Sequence, residues 1–310
     1  MTRILFVTDV HGSEYVFRKF LNAIPIYKAD VGILLGDLAG KLLVPIVRNP
    51  DNTYVSTFFG GTYKFKEKEL DDVKKRISIA GYYPIIVTKE ELDEIERNPE
   101  LKDRLFVENI KARLRSWIKL AEERLKGKNV KIFISAGNDD PLEIEEVLNE
   151  SDFVINVGMK KVWVDEHHEM ITLPYSNPTP WNTPREVPEE KLEEMIEDLV
   201  KKIENMENAI FNFHVPPYDS GLDLAPKLSK DLTPSVSEMI PVGSVAVRKA
   251  IEKYQPMMGL HGHIHESKGF CNIGRTICFN PGSEYGEGIL KGVLVDIERG
   301  KVKGYSFVSG

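Results

Sequence analysis

Cysteine is scarce in this chain, which holds two, Cys271 and Cys278. They stand in "GFCNIGRTICFNPGS" without a CxxC spacing, so no thiolate zinc site is read there. Gly274-Arg275 is expected to turn a hairpin that sets the two thiols across from each other. Both are taken as reduced, small, buried residues, because cytosolic disulfides are rare outside hyperthermophiles. Long apolar runs are missing as well. No stretch reaches the roughly 18 residues of a membrane-crossing helix. The N-terminal "ILFV" is too short and too weakly flanked for a signal peptide, so a soluble, cytoplasmic protein is expected. A positive field is also lacking. A net charge of −7 and a pI near 5.6 argue against holding nucleic acid by general electrostatics, while leaving room for a local phosphate site. Internal repeats and low-complexity tracts are absent too.

What is present suffices for a large core. At 310 residues, 42% hydrophobic and 29% charged, the chain can form one large domain with an insert, or two domains. "RILFVTDVHG" opens with an apolar run, Ile4 to Val7, that ends in polar residues and a glycine, as a buried strand feeding a functional loop would. Ser13 is placed to cap a helix with Val16, Phe17, Phe20 and Leu21 on one face. "VGILLGDLAG" repeats the plan, and the two runs read as parallel strands joined by that helix.

From Arg48 to Lys128 the texture becomes charged and helix-prone. Bases slightly outnumber acids there but alternate with them, which fits a solvated surface better than a nucleic-acid patch. Ile110, Leu114, Trp117, Ile118, Ala121 and Leu125 mark an amphipathic helix. The α/β plan resumes at "VKIFISAGNDDP", where Asp140 is expected to cap a helix beginning at Pro141. "MKKVWVDEHHEMITLPY" reads as two strands around a turn that carries His167 and His168 as surface residues. A proline-rich loop, "SNPTPWNTPREV", precedes a helix expected from about Pro188 to Met206. Ser244 begins another helix, and "GVLVDI" and "GYSFV" form a final strand pair.

Ligand-type residues follow apolar strands five times: Asp9 and His11, Asp37, Asn138, His214, and His263 with His265. Open α/β sheets bind ligands where strand carboxyl ends meet their loops, so these loops are expected to bring all seven together. Carboxylate, imidazole and amide oxygen form a mixed set that suits Mn²⁺, Fe or Zn²⁺ better than Ca²⁺ or Mg²⁺. Seven ligands exceed the needs of one ion with an open position. Two ions sharing one carboxylate account for the number, a geometry suited to clamping the oxygens of a phosphoryl group.

The order Asp-x-His, Gly-Asp, Gly-Asn, His, Gly-His-x-His resembles the calcineurin-like metallophosphoesterase superfamily, from Asp9 to "NPGS" at Asn280–Ser283. The segment 48–128 lies outside the likeness. "SNPTPWNTPREV" and "LHGHIHESKG…IGRTICFNPGS" are similar to a branch of predicted phosphoesterases related to cyclic-nucleotide phosphodiesterases. The resemblance implies a four-layer α-β-β-α sandwich of two mixed sheets, built from residues 1–47 and 129–310, with 48–128 as a mainly helical insert or cap. It further implies that Asp9, His11 and His265 hold one divalent ion, Asn138, His214 and His263 a second, and that Asp37 bridges. Mn²⁺ is the first expectation, ahead of Fe, Zn²⁺ and Ni²⁺, and a hydroxide shared by the ions would be the nucleophile.

One position departs from the family. After Asn138, where many relatives carry a histidine against the phosphate, stands Asp139. An ionised aspartate repels a phosphate dianion. Asp139 is therefore an acid of raised pKa, the holder of a water that serves as acid, or a structural residue. His261 is a further catalytic candidate, since strand alternation would aim it to the same side as His263. Asp219, Asp223, Asn182 and Arg185 are weaker candidates near the rim. A small phosphoester substrate is expected, nucleotides among the candidates, with diesters preferred because a monoanion loses less from the missing histidine. The rivals are a non-catalytic scaffold that keeps fold and metals, and a phosphomonoesterase or nuclease of the same fold. The insert is expected to cap the site or to mediate oligomerisation.

Overall fold

The protein is described by a computed structural model covering residues 1–229 and 231–310. Thr2–Thr8 (β1) leads through Glu14–Tyr27 (α1) to Val31–Leu35 (β2). Next come Leu43–Arg48 (β3), Thr53–Phe58 (β4), Gly61–Lys66 (β5), Leu70–Ile79 (α2), Tyr83–Val87 (β6), Lys89–Arg97 (α3) and Pro99–Leu125 (α4). Lys131–Ser135 (β7), Glu145–Leu148 (α5), Val154–Asn156 (β8), Lys161–Trp163 (β9) and Glu169–Leu173 (β10) follow. The chain continues through Glu189–Val200 (α6), Ile210–Phe213 (β11), Leu224–Leu228 (β12), Pro234–Pro241 (β13), Val245–Tyr254 (α7) and Met258–Leu260 (β14). Gly269–Ile273 (β15), Thr276–Asn280 (β16), Lys291–Glu298 (β17) and Lys301–Ser309 (β18) complete it. No helix among the described residues is long and apolar enough to cross a membrane.

Two six-stranded mixed sheets carry the fold, in the orders β18-β17-β1-β2-β7-β8 and β15-β16-β14-β11-β10-β9. In the first, β1, β2, β7 and β8 are parallel; in the second, β10, β11, β14 and β16 are. A single apolar cluster joins Ile4, Phe6, Ile33 and Phe133 of the first sheet to Met170, Ile210, Leu260 and Phe279 of the second. A second cluster packs α1, α4 and α5 on the first sheet, and a third packs α6 and α7 on the second sheet. The parallel strands read as continuous hydrophobic runs because both faces are covered.

Local signals set the helices. Ser13 caps α1 by accepting from the Val16 amide at 3.4 Å, and Ser244 caps α7 by accepting from Val247 at 3.2 Å. Helix α6 is shorter than the sequence suggests and ends at Val200. The Cys271 and Cys278 thiols sit directly opposite each other on β15 and β16 and are free, Cys278 buried and Cys271 half-buried.

The structure divides the segment 48–128. Strands β5-β4-β3-β6 form a separate four-stranded sheet, absent from the sequence expectation, whose Val44, Ile46, Tyr54, Phe58 and Phe65 pack under Val73 and Ile77 of α2. The sheet begins at Leu43, inside the stretch expected to belong to the main domain. Helix α4 does something different: its apolar stripe from Ile110 to Leu125 joins the cluster of α1 and the first sheet. The Trp117 ring stacks on Phe17 with centroids 4.4 Å apart, and its indole N–H donates to Glu14 at 2.7 Å. Although 48–128 is rich in helix, its longest helix belongs to the main core. Truncating Trp117→Ala should lower global stability by about 3–5 kcal/mol, the usual cost of deleting a buried large aromatic, as read from denaturant unfolding.

Candidate metal centre

The strands deliver their polar residues through strained turns. Asp9, His11, Asp37 and His263 all have positive φ, at 53°, 38°, 46° and 66°. A non-glycine residue there costs free energy, so four such residues at one rim are held by their surroundings, as is common at functional sites. Asp9 and His11 follow β1, Asp37 follows β2 and Asn138 follows β7; His214 follows β11, and His263 and His265 follow β14. All seven come from the carboxyl ends of parallel strands.

They converge in two groups. Donor atoms of Asp9, His11, Asp37 and His265 lie within 4.8 Å of one another, as do those of Asp37, His214 and His263. Asp37 belongs to both, with Oδ2 3.6 Å from His11 Nε2 and Oδ1 3.4 Å from His214 Nε2. Asn138 completes the second group: its Oδ1 is 2.9 Å from His214 Nε2 and 2.7 Å from His263 Nδ1. Within the first, His11 Nε2 and His265 Nε2 face each other at 3.1 Å. Two ring nitrogens aimed at one point beside buried carboxylates form a donor set that fits a divalent cation.

The charges fit as well. Burial opposes ionisation of Asp37, but the charge and hydrogen bond of His214, with His11 and Lys41, hold it well below the usual carboxylate range. Burial likewise opposes ionisation of Asp9, which its bond to His265 and the charge of His214 keep low. Burial drives His11 down to about 3 and His263 to about 4, leaving neutral rings with a lone pair to give. His214 resists its own burial because Asp37 and Asp9 raise it to about 9, so without metal it carries the compensating positive charge.

Several supports were hidden in the sequence. Asp140 does not cap a helix: its buried carboxylate accepts from the amides of Leu38, Ala39 and Gly137 at 3.0, 2.6 and 2.8 Å, and so ties the Asp37 turn to the Asn138 turn. Burial and the nearby Asp37 push Asp140 up to about 7. The "NPGS" motif braces the other side. Asn280 Nδ2 donates to the carbonyls of Gly262 and Ile264 within 3.3 Å, and the Ser283 hydroxyl donates to the Asp9 carbonyl at 2.6 Å. Tyr285 stands beside His11, ring centroids 4.5 Å apart.

The other candidate residues are engaged in bonds of their own. His261 is fully buried, with Nδ1 2.9 Å from the Phe213 carbonyl; β14 ends at Leu260 and His263 is left-handed, so strand alternation does not run from one histidine to the other. The alternation behind the expected supporting or acid role of His261 is thus absent. His168 is not on the surface either: its ring is buried against the Asp165 carboxylate at 2.7 Å and the Glu298 carbonyl at 3.1 Å, whereas His167 is exposed. Asp223 is buried, accepting from the amides of Asp219, Ser220 and Gly243. Arg185 is buried on the carbonyls of Asp140 and Pro141 and on Glu145. Asn182 and Asp219 sit in left-handed turns.

Asp139 lies at the mouth. Its carboxylate pairs with the Lys41 ammonium, Oδ2 is 3.9 Å from His11 Nδ1, and its amide donates to Asp37 Oδ1 at 3.0 Å. Burial and Asp37 raise its pKa while Lys41 opposes the rise. Lys41 had no signal in the sequence beyond its place four residues after Asp37.

Comparison with known proteins places the fold. No family model matches the chain. An uncharacterized protein of Methanocaldococcus jannaschii is 34% identical over 147 residues, a match spanning 47% of this chain and 61% of that protein's length. One solved structure aligns over 97% of both chains with a TM-score of 0.56 at 16% identity. TT1561 of Thermus thermophilus aligns over 100% of this chain and 98% of its own, with a TM-score of 0.55 at 14% identity. At such identities the likeness is one of fold.

A metal that binds only the folded cluster stabilises it by mass action, about 2.7 kcal/mol per site at a hundred times Kd. Titrating metal-free protein with Mn²⁺ should therefore raise Tm. Asp37→Ala, which removes the residue common to both groups, should abolish most of the rise.

Proposed function

We propose that this chain is a binuclear-metal-dependent phosphoesterase that prefers phosphodiesters, on a four-layer α-β-β-α sandwich. The observation that carries the proposal is the sharing of Asp37, one oxygen toward each of two donor groups at a single rim. Asp9, His11 and His265 would hold one ion, and Asn138, His214 and His263 the other. When bound, a pair of divalent cations, Mn²⁺ before Fe, Zn²⁺ or Ni²⁺, supplies Lewis acidity and lowers the pKa of water near the phosphorus. To ligate through its ring, His214 would give up the proton that balances Asp37 and Asp9 in the absence of the cations.

The chain's own residues do the rest. The positive φ turns hold the ligand side chains in place before any ion arrives, which limits reorganisation on binding. At the mouth, the Lys41 ammonium brings the positive charge that the absent histidine would have carried, and pairing with it lessens the repulsion between Asp139 and a phosphate. The Lys41–Asp139 pair is nearly neutral overall, so it lacks the net positive charge that would favour a monoester dianion, and a diester monoanion loses less by that. With Lys41 on its carboxylate, Asp139 serves to hold that cation. Its place in the leaving-group step is through Lys41. The small sheet near Leu43–Val87 packs against the loops of His11 and Asp37, and the substrate is a small soluble phosphoester, a nucleotide among the candidates.

Turnover of bis-p-nitrophenyl phosphate and p-nitrophenyl phosphate with Mn²⁺ tests the proposal. The diester should be hydrolysed at least about tenfold faster, and Lys41→Met should lower its kcat by roughly 10²-fold, as for loss of one charge-stabilising donor. A large monoester preference would overturn the diester assignment. Two bound ions with no hydrolysis of either ester would favour the metal-holding scaffold.

A further inference from the structure

We infer that Thr183 and Glu186, in the proline-rich loop between β10 and α6, are positioning residues that fix the amide of Asn138 so that its carbonyl oxygen faces the His214 and His263 ion site. The inference rests on the binuclear proposal above. Asn138 Nδ2 donates to Thr183 Oγ1 at 2.8 Å, and Thr183 Oγ1 donates to Glu186 Oε1 at 2.6 Å. The order of donors and acceptors settles which way the amide points. A carboxylate can only accept, so the single hydroxyl hydrogen of Thr183 goes to Glu186 and its lone pairs are left for Asn138. Only the NH₂ end of the amide can occupy that place. Flipped, the Asn138 carbonyl would meet an acceptor, and the NH₂ would be turned toward the ion site.

The loop is built to keep this chain of bonds. Glu186 also accepts from the amides of Thr179 and Thr183 at 2.8 and 2.9 Å and from the Thr179 hydroxyl at 2.5 Å. Burial works against its ionisation, but these four bonds hold its pKa below the usual range, so it stays acceptor-only at neutral pH. Arg185 clamps the same turn from the backbone: its amide donates to the Asn138 carbonyl at 3.0 Å, and its guanidinium bonds the carbonyls of Asp140 and Pro141. The turn that carries Asn138 is thus grasped at side chain and main chain by one loop. A neutral amide is the weakest donor in the centre, with no charge to draw it to a cation. It gains most from being held in advance.

Titration of the metal-free protein with Mn²⁺, followed by calorimetry and by the electron paramagnetic signal of free ion, tests the inference. In Thr183→Val, one ion should bind as in wild type and the other about 10- to 100-fold more weakly, the usual effect of removing a ligand's supporting bond. Thr183→Ser, which keeps the hydroxyl, should restore it. In an Asn138→Asp background the valine change should add nothing, because a carboxylate has no wrong face. Glu186→Gln should also weaken the second ion selectively, and it serves if the valine variant does not fold. Two unaltered affinities in Thr183→Val, or an equal fall in both, would overturn the positioning role. Wild-type protein that takes up two ions while the variants match it removes this inference alone; wild type that takes up one removes the binuclear proposal and this inference with it.

Discussion

Three hydrogen bonds from backbone amides to one buried carboxylate hold the centre together. Asp140 receives Leu38 and Ala39 from the turn after β2, and Gly137 from the turn after β7, so two loops that are about a hundred residues apart in sequence become one body. Asp37 and Asn138 owe their separation to that tie. The closeness is backbone-deep: a Cβ on Gly137 would lie 2.3 Å from the Asp37 amide, so only glycine lets the turns approach. A group this buried keeps its bonds because no water competes for them.

The same exclusion of water makes the donor cluster costly to leave empty. Asp9, Asp37, His11 and His214 are all buried, and the carboxylates can be neutralised from inside only by protonated imidazole or by a cation. His214 takes the first course, and its high pKa records the unmet charge of Asp37 and Asp9. His11 and His263, pushed down by burial, remain neutral donors. One cluster therefore contains both the charge a metal would replace and the lone pairs it would use. Were this cluster to take up metal, its affinity and the stability of the fold would be linked through this one set of residues.

How far the sequence discloses this depends on the range of each signal. Strand-end residues are legible because an apolar run followed by Gly-Asp or Asp-x-His is a local pattern, and parallel strands place their carboxyl ends on one rim. The caps at Ser13 and Ser244, the Cys271–Cys278 pairing and the apolar stripe of α4 are local too. Asp140 looks the same before a proline whether it caps a helix or gathers amides from a distant turn. His168 is buried by the Glu298 carbonyl, 130 residues away. His261 shares the spacing of His263, yet one left-handed residue between strand and loop sends their rings to different places. The small sheet was obscured because α2 to α4 dominate the composition, although "YVSTFFGGTYKFK" alternates and turns at Phe59-Gly60, both with positive φ.

The small sheet is also less separable than a cap. The Gly81 carbonyl, just before β6, lies where a Cβ on Gly40 would come within 1.7 Å and one on Gly12 within 2.5 Å, so three backbones interlock at the loops of His11 and Asp37. The Ser13 hydroxyl donates to the Ile79 carbonyl at 2.6 Å, and the Tyr83 hydroxyl accepts from the Gly40 amide at 2.8 Å. Arg113, from the core helix α4, donates to the Gly12 carbonyl and to the Tyr82 carbonyl, joining the main body, the loop of His11 and the small sheet through one guanidinium. Burial lowers the Arg113 pKa while Tyr83 and Glu14 oppose the fall. A displacement of the small sheet would therefore pull on the left-handed backbone of His11 itself. The segment most different in texture from the rest of the chain is thus mechanically coupled to the residues nearest the mouth.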